Sequence, residues 1–330
     1  MAQGYFLSGK KDTPARFDYF FRKAPFNGSF VIFAGLHNLL EMLEGFSFDT
    51  DALYFLESRR FNPKFLEYLG NFRFEGNVFA SPEGEIVFPY EPLISVEGSL
   101  IECQLIESML LNIINFKSLI ATKASRISHA AGNREFVDFG LRRGQGTGSI
   151  QASRAAIIGG AASTSNMLAA CHYGLKSTGT QAHSWIQSFE DELSAFRQFS
   201  RTFPENCILL VDTYDTLRTG VPNAIKVAKE MEREGNKLSG IRLDSGDLAY
   251  LSKNARKMLD DEGLQYVKII ASNQLDEYVI RSLREQNAPI DSFGVGTNLI
   301  TGKKDAALDG VYKLVHSDGR YQAGRYLPGR

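Results

Sequence analysis

Residues 240–250 read GIRLDSGDLAY and bring Arg242, Asp244 and Asp247 together around a Ser-Gly turn. An arginine presents a fork of donors that suits a carboxylate or a phosphate. Paired aspartates suit a magnesium-bound diphosphate, or positive charge developing at a carbon. Alternation puts Ile241 and Leu243 on one face of a strand and Arg242 and Asp244 on the other. Asp247 stands where a helical pattern, LAYLSKNARKMLD, begins. The polar side chains thus meet where strand gives way to helix, the place where α/β proteins build their sites. An ordinary ion pair is the competing reading, so other strand ends must decide.

Those ends carry the same kind of chemistry. DFGLRRGQGTGS holds Phe139, Arg142 and Arg143, and IGGAASTSN (158–166) is rich in glycine and hydroxyls. STGTQAHSWIQSF holds Thr180 and His183, and VDTYDT holds Asp212 and Asp215. Ser272 and Asn273 follow VKIIA, and GVGTNLIT (294–301) contains Gly296 and Thr297. The run GQGTG lacks the spacing of a dinucleotide fingerprint and no GK[ST] follows it, so it reads as a structural turn. His183 is as compatible with a structural hydrogen bond as with catalysis. FGVGTNLITG reads as a phosphate cradle of backbone N–H groups and the Thr297 hydroxyl. Together these residue types point to a phosphorylated sugar, and types alone go no further.

The elements that must position them follow from periodicity. Strands are expected at 17–22 and 29–34, a helix at 36–43, and a small antiparallel sheet over 71–96. The longest helical stretch is 101–131, where Leu105, Met109, Ile113, Phe116 and Ile120 recur at helical spacing and Gly132-Asn133 ends the pattern. Beyond it, strands at 136–139, 174–178, 207–211, 240–243, 267–271 and 292–295 alternate with helices at 149–158, 185–199, 224–234, 247–262 and 275–287. Successive βα units imply a parallel sheet, and a closed barrel suits them better than an open sheet. A strand at 311–315 is expected to return to the small domain. The expected architecture is α/β: an irregular TIM-like barrel at 132–310, a smaller N-terminal α+β domain at 1–131, and a returning segment at 311–330.

The chain has 330 residues and a formal net charge of -1, which argues against a sheath for nucleic acid. Cys103, Cys171 and Cys207 are widely spaced and odd in number, against a disulfide framework or a zinc site. Apolar runs are too short to span a membrane and no signal peptide is visible, so a cytoplasmic protein is expected.

Segments across nearly the whole chain resemble the nicotinate phosphoribosyltransferase family, of the type II phosphoribosyltransferase fold. They include YFFRKAPFNGSFVIFAGL, LLNIINFKSLIATKASRI, DFGLRRGQG, STGTQAHSWIQSF, VDTYDTLRTGVPNAI, IRLDSGDLAYLSK, ASNQLDE and FGVGTNLITG. The resemblance implies attack of the nicotinate nitrogen on 5-phosphoribosyl 1-diphosphate, giving nicotinate mononucleotide and diphosphate for NAD biosynthesis. It implies ATP as co-substrate, acting through a phosphohistidine at His183, with Asp212 pairing that ring and Mg2+ carried on diphosphate. Phe139 matches the aromatic under the pyridine, and Thr180 and Arg242 match contacts to nicotinate. Arg142, Asp244 and Asp247 match positions around ribose, diphosphate and magnesium. Gly296 and Thr297 match the 5-phosphate cradle, with Ser272 and Asn273 as neighbours. A homodimer with shared active sites is implied.

Two departures stand out. The chain lacks the T-D-x-Y motif near the family's N-terminus and the family's C-terminal region, so a shortened form is expected. Ala162 replaces an acidic residue that reads the amide in relatives using nicotinamide, which favours the acid substrate, and Gln181 sits where other residues are common. The alternatives are a nicotinamide or quinolinate phosphoribosyltransferase, or an inactive phosphoribose-binding or dimerisation fragment.

Overall fold

The computed structural model describes residues 1–321. Its strands, in chain order, begin with β1 (Pro14–Phe21), β2 (Val31–Ile32), β3 (Asn77–Ala80), β4 (Ile86–Val87) and β5 (Ile94–Ser99). The parallel series follows: β6 (Glu135–Asp138), β7 (Ser163–Thr164), β8 (Ile208–Leu210), β9 (Gly240–Leu243), β10 (Lys268–Ala271) and β11 (Ser292–Val295). β12 (Gly310–Ser317) and β13 (Arg320–Tyr321) complete the set. The described residues form two compact units, residues 1–122 with 304–321, and residues 123–303; residues 322–330 of the expected returning segment lie outside the described residues.

In the first unit a 5-stranded sheet runs β13-β12-β1-β5-β3, and β2 pairs with β4. The aromatic run FDYFF makes β1 a central strand because nearly every side chain on it is buried. Its Phe17 stacks on Tyr312 of β12 at 4.8 Å between ring centroids. Tyr19, Phe21, Phe33 and Ile94 are fully buried in the same core. The expected strand at 311–315 is β12, antiparallel to β1. Two helices that the sequence reading passed over, Thr50–Ser58 and Pro63–Gly70, start at the side-chain caps Asp49 and Asn62.

The joint between units differs from the boundary at residue 131. It falls between Thr122 and Lys123, inside the continuous helix Glu107–Ala131, and the second falls between Lys303 and Lys304 rather than after residue 310. An unbroken helical pattern carries no punctuation at such a point.

In the second unit all strand pairs are parallel, in the order β7-β6-β11-β10-β9-β8. The last strand of the series lies beside the first, as in a barrel. Full hydrogen-bonded closure is not reached, because β7 and β8 do not pair. The strand expected at 174–178 is reduced to a single parallel bridge, Thr164 to Ser177. Across the remaining gap the Gln181 side chain substitutes for a strand: its Oε1 accepts the Leu210 amide at 2.9 Å. The helix expected at 185–199 is two helices, His183–Gln187 and Glu192–Thr202, the second capped by Asp191. Buried Lys123 donates to Glu277 at 2.7 Å, which Arg126 also reaches, so the end of the long helix is fixed to the helix Glu277–Glu285. Among the described residues no helix is long and apolar enough to cross a membrane.

Candidate active site

The C-terminal ends of the parallel strands surround a cavity of about 430 Å3. Six of the residues singled out above line it: Phe139, Arg142, Thr180, His183, Arg242 and Asp244. Leu141, Ser165, Gly179, Gln181 and Ala182 complete its wall.

Arg242 projects from β9 and is held on several sides. Its Nε donates to Ser272 Oγ at 2.9 Å, and Nη1 donates to Thr180 Oγ1 and to the Gln181 carbonyl. Its Nη2 lies 3.1 Å from Asp244 Oδ1. The guanidinium carbon stands 5.6 Å from the centre of the Phe139 ring, a cation–π approach. A flat aromatic surface and a fixed cation therefore share one wall.

Asp244 is the electrostatic hub. Burial opposes its ionisation, but the Arg242 charge, the Ser272 hydroxyl and His183 outweigh that and hold its carboxyl below the usual aspartate range. Its Oδ2 lies 3.6 Å from His183 Nε2. On the other side of the imidazole, Nδ1 is 3.1 Å from Thr213 Oγ1. His183 is partly exposed and opens a short helix, so its ring is oriented and accessible.

The arrangement differs from the sequence reading at Asp212. This carboxylate does not hydrogen-bond to His183; its Oδ2 accepts the Asp244 amide at 2.8 Å and the Ser245 hydroxyl at 2.6 Å. The reason is geometric: Asp212 lies just past β8, which pairs with β9, and is spent on the turn of DSGD. Asp244 and Thr213 flank the imidazole instead. Thr213 was visible in VDTYDT, but an alcohol beside two acids gives no signal by type.

Asp247 is exposed, and its Oδ1 caps the helix Leu248–Asp261 by accepting the Ala249 and Tyr250 amides. Asp215 caps the following turn in the same way, at Leu217 and Arg218. Ser272 is buried between Arg242 and Asp244, donating to the latter. Asn273 and Gln274 are consecutive left-handed residues, with φ 82 and 47. Buried Asn298 bonds to the carbonyls of Gln274 and Leu275, tying that loop to Gly296 and Thr297 at the start of the short helix Thr297–Ile300. Asp212, Asp247, Ser272, Asn273, Gly296 and Thr297 stand on these adjoining loops and do not line the cavity itself.

Two supports were not legible in advance. Asp138 is fully buried, and burial raises its pKa against three hydrogen bonds. It accepts from the Gly140 amide, Ser153 and Thr164, and so shapes the loop that carries Phe139 and Arg142. Gly294 is the second: a Cβ there would come within 2.4 Å of the Phe139 ring. Ala162 precedes β7, donates to the Phe136 carbonyl and does not line the cavity.

Oxygen-rich ligands and magnesium are compatible with this set. Asp212 Oδ1 is buried and has no hydrogen-bond partner among the described residues, while Oδ2 of the same carboxylate accepts the Asp244 amide. No cluster of three or more metal-binding side chains occurs among the described residues. A cation would therefore need ligand oxygens to complete its shell.

The parallel α/β unit thus gathers cationic, aromatic and acidic side chains in one cavity at its strand ends. Residues 1–115 match the model of the nicotinate phosphoribosyltransferase N-terminal domain, and residues 134–315 match that of the nicotinate phosphoribosyltransferase family. The chain belongs to the nicotinate phosphoribosyltransferase family. It is 47% identical to the nicotinate phosphoribosyltransferase of Bacillus subtilis, over 97% of this chain and 66% of that protein. It is 45% identical to nicotinate phosphoribosyltransferase pncB2 of Mycobacterium tuberculosis, over 100% of this chain and 72% of the relative. The crystal structure of human nicotinic acid phosphoribosyltransferase superimposes with a TM-score of 0.90 at 32% identity, covering 100% of this chain and 76% of the human one. The chain thus spans about two thirds to three quarters of the length of these relatives.

Proposed function

We propose that this protein joins nicotinate to 5-phosphoribosyl 1-diphosphate, releasing diphosphate and forming nicotinate mononucleotide for NAD biosynthesis. The observation that carries the reading is the convergence of Phe139, Arg142, Thr180, His183, Arg242 and Asp244 on one cavity. The pyridine lies against Phe139 with its carboxylate directed to Arg242 and Thr180. Its ring nitrogen attacks the anomeric carbon as the bond to diphosphate breaks. Arg142 neutralises phosphate charge, and the ionised Asp244 stabilises the cationic sugar. Gly296 and Thr297 receive the 5-phosphate, with Ser272 and Asn273 beside them. Mg2+, carried on the diphosphate, would neutralise its charge, and Asp212, Asp244 and Asp247 are the carboxylates that would help to hold it.

ATP is a co-substrate in this reading. His183 takes its γ-phosphoryl group and later passes it to water. Asp244 facing Nε2 and Thr213 facing Nδ1 support that role by orienting the ring. The protein works in the cytoplasm as a homodimer with shared active sites. The acid substrate is favoured over the amide because Arg142 and Arg242 give the cavity wall its cationic groups.

The test is direct. Purified protein is incubated with phosphoribosyl diphosphate, magnesium and nicotinate, nicotinamide or quinolinate, with and without ATP, and mononucleotide is measured. Product from nicotinate, enhanced by ATP, is expected. Product from nicotinamide or quinolinate alone, or from no pyridine, would contradict the reading.

A further inference from the structure

Side chains alternate along each parallel strand, so every second residue faces the inside of the barrel. In barrels of this kind branched side chains normally fill that space in layers and leave a packed core. Here Ser163, Thr178 and Ser292 take interior positions, and a second cavity of about 610 Å3 remains. Val137, Ile208 and Ile270 give it apolar walls. Phe139 and Thr180 line both this cavity and the one at the strand ends. The two spaces therefore share a partition made of substrate-site residues.

The opposite mouth lies at the N-terminal ends of the strands and is charged. Lys176 and Lys268 line it, are exposed, and make no ion pair among the described residues. Lys237 also lines it and lies over the Tyr266 ring at 5.1 Å. Glu135 and Glu205 are the acids on the same wall, leaving the lysines in excess.

We propose that the hollow barrel is a second entrance, a channel that admits a small planar carboxylate from the N-terminal end of the strands. The proposal rests on the function stated above. Apolar walls suit a flat ring, interior hydroxyls suit a passing carboxylate, and lysines at the mouth attract an anion. A phosphoribosyl diphosphate is bulkier and far more polar, so it uses the cavity at the strand ends. The pyridine then reaches a site whose front is already occupied by the sugar.

Two experiments test this. Lys176→Glu with Lys268→Glu reverses the charge of the mouth at exposed positions, and Thr178→Phe narrows the interior. In each, kcat/KM for nicotinate falls about tenfold, while kcat at saturating nicotinate and KM for phosphoribosyl diphosphate stay within about twofold of wild type. An unchanged kcat/KM for nicotinate, or an equal loss for both substrates, overturns the proposal. If Thr178→Phe fails to fold, the lysine variants decide.

Access is read separately, without turnover. Cys171 is exposed and the other two cysteines are buried, so Thr178→Cys in a Cys171→Ser background supplies a single new reactive thiol. It reacts with a small neutral thiosulfonate, continues to react when phosphoribosyl diphosphate is bound, and is shielded by nicotinate. An inert thiol, or one that nicotinate does not shield, overturns the channel. An inactive wild-type enzyme would retire the catalytic reading alone, and labelling would still judge the channel.

Discussion

At the scale of single residues, the site depends on a few side chains that hold others in place. His183 stands between Asp244 and Thr213, one facing each ring nitrogen. His183→Ala should abolish both ATP stimulation and acid-labile phosphate on the protein, while slow ATP-independent transfer persists; undiminished stimulation would remove His183 from the mechanism. Gly294→Ala puts a methyl group into the Phe139 ring. It should raise KM for nicotinate by about tenfold or more with little change in KM for phosphoribosyl diphosphate, measured by steady-state kinetics. Asp244 has a pH signature. Its folded pKa is depressed, so its stabilisation is present above the unfolded aspartate value of about 4 and is lost as pH falls through the lower folded value. The stability gap between wild type and Asp244→Asn, from urea titrations, should therefore shrink as pH is lowered below about 4.

At the scale of elements, the strand ends work because buried polar groups shape the loops behind them. Asp138 satisfies one amide and two hydroxyls with no exposure to solvent. Asp138→Ala would leave the Gly140 amide without its acceptor and take the charged partner from Ser153 and Thr164, and a loss of about 2–4 kcal/mol is expected by chemical denaturation. Gly220 opens the helix Val221–Arg233, and a Cβ there would meet the Val211 carbonyl at 1.8 Å, so Gly220→Ala should yield little folded protein. The alternation of strand and helix was legible because each apolar run is short and bounded by polar residues. β7 was not, since two buried hydroxyl residues, Ser163 and Thr164, carry no apolar signal. The break at 188–191 was missed because Trp185, Phe189 and Phe199 continue to pack on one another across it.

At the scale of the whole molecule, residues remote in sequence were read as partners from their positions at strand ends. Phe139, Thr180, His183, Arg242 and Asp244 line one cavity, and each stands by a recognisable strand end or helix start. Asp212 and Asp247 stand outside its lining, and type and spacing do not reveal that a carboxylate is committed to backbone amides. The gap between β7 and β8, closed by the Gln181 side chain, was likewise invisible to periodicity. The central claim is that one cavity holds both the pyridine acid and the activated sugar. A crystal structure with nicotinate mononucleotide bound tests it most directly. The account predicts the pyridine on Phe139, its carboxylate at Arg242 and Thr180, and the phosphate at Gly296–Thr297. Density for the nucleotide elsewhere, with that cavity unchanged, would contradict it.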